Sequence, residues 1–221
     1  MNSILELIGQ VCKTVKTCCK PTISFQRLLT ATRREFRNQG VDLKLRSVRS
    51  TKMNTEEFYV NAYYDPEDDR NKETAIEVII HHNFPKDRDW DQIHVSELLI
   101  QVFDAVVHEF KHQRQSRKRS YHTYWDSTGN IYRYLGDPDE IDAYALSIAI
   151  ELCRVLGKAR ALRYMPKFTS LSRLKVGGNY VSPNLLEYVN HFENVNSKVL
   201  RTLAKKIYVR LQKVDEDAIF M

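Results

Sequence analysis

The chain has 221 residues, 43% hydrophobic and 28% charged, with a formal net charge of +6 and a pI near 9.1. That balance excludes a persistently disordered chain, and the length excludes a mini-protein that must borrow stability from disulfides or a structural metal. The charge favours acidic partners and leaves the fold open. Cys12, Cys18, Cys19 and Cys153 form no CxxC pair and no framework spacing, which predicts reduced thiols in a cytosol-like compartment. Glu6, Lys13 and Lys16 interrupt the apolar positions of residues 1–20, so neither a leader peptide nor a transmembrane segment is expected there. The predicted location is the cytoplasm, meaning host cytoplasm or virion for a viral source.

In chain order, Ile4, Leu7, Ile8, Val11 and Val15 fall at helical spacing, and Ser24 is placed to cap a second helix with Phe25, Leu28, Leu29 and Phe36. Gly40 should end it. Period-two alternation over 41–46 and 58–64 predicts two half-buried strands, and 75–82 a third. From Asp91 the period changes: Val95, Leu98, Leu99, Val102, Phe103, Val106 and Phe110 make an apolar helical stripe. After a Tyr-rich loop, Asp137-Pro138 opens another helix with Ile141, Ala145, Ile148, Ala149 and Leu152 inward, closing at Gly157. A Gly177-Gly178 turn, a helix start at Ser182-Pro183 and an amphipathic terminal helix follow. The expectation is one α+β domain over 1–221, a small mixed sheet with a helical N-terminal segment (1–40) and a helical C-terminal segment (158–221).

The stripe helix carries His108-Glu109-Phe110-Lys111-His112. Residues four apart share a helix face, so His108 and His112 can reach one ion together, and two neutral imidazoles suit Zn2+. Glu109 is rotated by about a hundred degrees, where it can accept a proton from metal-activated water as a general base rather than bind the metal. A bare HExxH also arises by chance, in histidines of a solvated helix face; here it lies within a long amphipathic helix. A catalytic zinc needs a third protein ligand and an open position. The next carboxylates are in the acidic start of the following helix, residues 136–145, which holds both Glu140 and Asp142. At the third position after Asp137, Glu140 could equally close a capping box.

Over roughly residues 55 to 155 this pattern resembles the gluzincins, the HExxH peptidases of thermolysin type, and small bacterial and phage zinc metallopeptidases. The metzincin continuation is not met, since Gln115 and Lys118 stand where its glycine and third histidine would be. The resemblance implies a zincin-type active-site helix and a metallopeptidase that hydrolyses peptide bonds. His108, His112 and Glu140 would be its zinc ligands, with Asp142 a partner of a ligating histidine or itself the ligand. Tyr144 occupies the place of the aspartate that thermolysin-type enzymes carry, and leaves Glu140 and Asp142 both open. The loop from Tyr121 to Tyr134 offers His122, Tyr124, Tyr132 and Tyr134 as hydrogen-bond donors to a developing oxyanion, with His122 and Tyr132 as the candidates. Residues 75–82 would be the edge strand that pairs with an extended substrate, with His81 and His82 exposed on its two faces.

The alternative reading is a zincin-fold, nucleic-acid-binding or virion-assembly module without peptidase activity. It rests on the basic run from Lys111 to Arg119 and on Lys198, Arg201, Lys205 and Arg210 of the terminal helix. The partners expected are therefore a peptide or protein substrate, with nucleic acid or another acidic molecule on the basic surface.

Overall fold

In the computed structural model of the chain, residues 2–19, 21–54, 57–85, 88–121, 130–192 and 198–220 are described. Their contacts separate into two compact units, Met1–Thr123 with Phe220–Met221, and Tyr124–Ile219. The secondary structure is mixed α and β, as the change from period-two to helical patterning predicts.

In the first unit, Leu5, Ile8, Val11, Cys12 and Val15 line the buried face of α1 (Asn2–Cys18). A two-residue strand, β1 (Ile23–Ser24), leads into α2 (Phe25–Asn38); Ser24 precedes this helix in extended conformation and makes no side-chain capping bond. Gly40 adopts a φ of +68°, a left-handed conformation that costs glycine little. The Gly40 N–H then reaches the Arg37 carbonyl (3.0 Å) and the Val41 N–H the Phe36 carbonyl (2.9 Å), the paired bonds of a Schellman ending. Val41 is buried as the apolar residue of that motif. This is why β2 spans Lys44–Arg49, later than the alternation over 41–46 predicts.

The main sheet adds β3 (Phe58–Tyr64) and β4 (Ile76–His82) in the order β2-β4-β3, with β2 parallel and β3 antiparallel to β4. A single turn, α3 (Pro66–Arg70), joins the antiparallel pair, capped by the Asp65 side chain. β4 is thus the central strand, and the expectation that 75–82 forms an edge is overturned: both of its sides are already paired. The free edges belong to β2 and β3. His82 is also buried rather than exposed, ringed by Phe25 and Phe84, whereas His81 stacks on Tyr59.

The Asp65 N–H to Ala75 carbonyl bond (2.8 Å) sets the phase of the β3–β4 ladder, so odd-numbered β3 residues exchange bonds with β4. Even-numbered ones direct their backbone groups outward. At one of them, Val60, the N–H donates to Gln101 Oε1 (3.1 Å). Gln101 belongs to α4 (Gln92–Lys118), which follows β5 (Asp89–Trp90), the antiparallel partner of β1. Asp91 caps α4 by accepting from the Ile93 and His94 N–H groups at 3.0 and 2.9 Å. Val95, Leu98, Leu99, Val102, Phe103, Val106 and Val107 are its buried residues, and it packs on α1 and β3.

The second unit is helical apart from one hairpin. It runs through α5 (Ile131–Gly136), α6 (Pro138–Leu156), α7 (Lys158–Tyr164), α8 (Phe168–Ser172), the hairpin β6 (Lys175–Val176) and β7 (Asn179–Tyr180), α9 (Pro183–Phe192) and α10 (Lys198–Lys213). Its core is the packing of α6 against α10, Ile141, Ile148 and Leu152 being buried on one and Leu203, Ile207 and Leu211 on the other. Glu151 of α6 ties down α9, accepting from the Ser182 hydroxyl and from Asn184 Nδ2 (2.7 Å). Among the described residues, no helix is long and apolar enough to cross a membrane.

Candidate metal centre

The sequence spacing places His108 and His112 one turn apart on α4, and the structure turns their rings inward upon each other. Their Nε2 atoms are 3.0 Å apart, with ring centroids at 4.8 Å and planes inclined by 66°. Two nitrogens bound tetrahedrally to one zinc at about 2.0–2.1 Å stand about 3.3 Å from each other, so a shift of a few tenths of an ångström would let both bind. Both rings are half-buried, and Glu109 between them is also half-buried.

The helical segment that carries this pair is fastened at its C-terminal side. Asp69 of α3 is 7% exposed and accepts two hydrogen bonds from Arg117, at 2.7 and 2.9 Å, one from Gln113 at 3.1 Å and one from the Tyr64 hydroxyl at 3.0 Å. Burial pushes the Asp69 carboxyl pKa up, but the bonds from Arg117 and Tyr64 outweigh it and hold the group below its ordinary value. Gln113 directly follows His112. The latch therefore fixes the turn next to the imidazoles, and it engages Arg117 of the basic run from Lys111 to Arg119.

Glu140 lies in the first turn of α6. Asp137 is the N-cap, its side chain accepting from the Asp139 N–H at 2.7 Å. The Asp137 N–H that a capping box would offer to Glu140 is bonded to the Tyr134 carbonyl at 3.0 Å. The Glu140 carboxylate instead meets tyrosines. Burial first, and then the neighbouring Tyr144 and Glu140, push the Tyr134 hydroxyl pKa far up, and Tyr134 is hydrogen-bonded to both. The residue as a whole is 44% exposed. Tyr188 is fully buried, with its pKa raised mainly by desolvation and then by Tyr144 and Glu140.

Asp142 serves differently. Its Oδ1 accepts from Arg210 at 2.6 Å and lies 3.8 Å from Lys206 Nζ, both on α10. His108 and His112 belong to the first unit, and Glu140 and Asp142 to the second. Of the oxyanion candidates, His122 lies outside the described residues. Tyr132 is 56% exposed, and its ring meets His191 and Phe192 edge-on. The tyrosine that engages the acidic helix start is Tyr134, another of the donors that the sequence offers from this loop. No family model matches the chain, and neither a curated protein nor a solved structure matches it.

Proposed function

We propose that this chain is a zinc-dependent peptidase of the HExxH zincin type, with α4 as its active-site helix. The observation that carries the reading is the convergence of the His108 and His112 Nε2 atoms on the helix that carries Glu109 next to His108. Glu140 is the third ligand, as the likeness to the gluzincins implies, and the engagement of Asp142 with Arg210 and Lys206 of α10 favours it over Asp142. The donor set of two imidazoles and one carboxylate fits zinc and leaves a position open. Zinc bound there supplies polarisation of a carbonyl oxygen and lowers the pKa of water toward neutrality.

Glu109 accepts the proton of the attacking water and returns it to the leaving amine, and its half-buried position limits competing solvation of the carboxylate. Tyr134 donates to Glu140 and fixes the carboxylate's orientation. The peptide enters along β3, not β4. Seven and eleven residues separate Gln101 from His108 and His112, so all three share one side of α4 to within about 20°. Gln101 already reaches the outward Val60 N–H. An extended peptide carbonyl that replaces the Gln101 amide would add a strand to β3.

Protein purified without chelator should contain about one zinc per chain. Glu109→Gln should keep that zinc and lower casein hydrolysis by about 10²–10⁴-fold, the usual worth of a general base. Zinc-free protein, or hydrolysis unchanged in Glu109→Gln, would refute the reading.

A further inference from the structure

The positive charge of the chain is concentrated in one part of it. Residues 158–213 hold twelve lysines and arginines against two acids, a net +10, so the rest of the chain carries −4 of the total +6. Within the second unit, α7 packs against α10, with Lys158 Nζ donating to the Val214 carbonyl at 3.0 Å. Arg160, Arg163 and Lys167 are exposed on or just after α7, and Arg201, Lys205 and Lys213 on α10. None of these six makes an ion pair among the described residues. On α10, Lys198, Arg201, Lys205 and Tyr208 recur at three- and four-residue intervals along one exposed face.

Tyrosines alternate with these cations. Tyr164 and Tyr180 are each 38% exposed and Tyr208 45%. Arg160 and Arg163 precede Tyr164, and Lys167 follows it. Lys175 Nζ lies 4.3 Å from the Tyr180 ring centroid. Lys205 precedes Tyr208 by one helical turn. Clustered cations alone would suit any polyanion. Exposed aromatic faces set among them suit unpaired bases, which stack while their phosphates meet the lysines and arginines.

We infer that the surface formed by α7 and α10 binds single-stranded nucleic acid through phosphate contacts and base stacking on Tyr164 and Tyr208. The site uses no residue of the histidine helix, and the Glu109→Gln protein should bind a strand as tightly as the parent whether or not the peptidase reading holds.

The test uses the full chain and a fluorescein-labelled 30-nucleotide oligo-dT, read by anisotropy. With about four phosphates engaged, affinity should fall about 50-fold between 50 and 200 mM NaCl. Arg163→Glu with Lys205→Glu should weaken binding at least about tenfold and flatten that dependence. Tyr164→Ala with Tyr208→Ala should cost about tenfold and leave the salt dependence unchanged. All four positions are exposed, and circular dichroism should match the parent. Absence of binding at 50 mM NaCl, or binding unaffected by the charge reversals, overturns the inference. So does equal affinity for a 30-base-pair duplex or for phosphatidylserine vesicles together with indifference to the tyrosine substitutions, which would indicate a general polyanion surface.

Discussion

The imidazole of His82 ends the central strand of the sheet, stacked on Phe84 at a centroid distance of 4.9 Å and tilted against Phe25 at 4.6 Å. Its Nδ1 accepts from the Phe84 N–H at 3.2 Å. Desolvation, followed by the charge of Arg49, lowers its pKa below 6.5. The fold therefore disfavours the protonated ring. The resulting stability is fully present above the unfolded-state pKa and is lost as pH falls from about 6.5 through the folded-state value. His82→Gln keeps a side-chain acceptor without titrating, so the stability decline of the parent between pH 7 and 5 should become shallower; urea unfolding across that range measures it, and an unchanged slope would count against a neutral buried His82. Of the rings that flank it, Phe84 is a near neighbour, but Phe25 comes from α2, which local alternation around His81-His82 does not encode. The candidate-site residues divide in the same way. The approach of the His108 and His112 rings was legible because helix geometry fixes their relation. The engagement of Asp142 was not, since it depends on Arg210 and Lys206, more than sixty residues further on.

At the scale of elements, α4 was legible from its Asp91 start to its apolar stripe, because capping and periodicity are local. β4 was legible as a strand but not as a central one. Its parallel neighbour β2 is separated from it in sequence by β3 and α3, and pairing order is a tertiary property. The α3–α4 latch is likewise long-range: Asp69 and Arg117 meet across 48 residues. Asp69→Asn would keep the side-chain size but remove the charge that Arg117 neutralises, and should cost about 2–3 kcal/mol, below the usual range for a broken buried pair because Arg117 is partly solvated. Thermal unfolding measures this loss. If the latch positions the histidine helix, zinc affinity should fall as well, whereas a loss of stability with zinc affinity unchanged would limit Asp69 to holding the fold.

At the scale of the whole molecule, composition gave the sign and size of the charge but not its distribution. The dense run is at 111–119, yet there Arg117 is bonded to Asp69, while Arg160, Arg163, Lys167, Arg201, Lys205 and Lys213 of the sparser set are exposed. A count per segment carries more information here than a search for runs, because a helix face collects residues three and four apart. One contact made inside the fold also bears on how copies of the chain meet. An open β3 edge is a template for the same edge of another molecule, and the Gln101 amide occupies its outward Val60 N–H. The side chain thus protects against self-association. Gln101→Ala should leave the melting temperature nearly unchanged but make sedimentation concentration-dependent, with edge-paired dimers and larger species accumulating; a variant that stays monomeric at every concentration would show that the edge is guarded by something else.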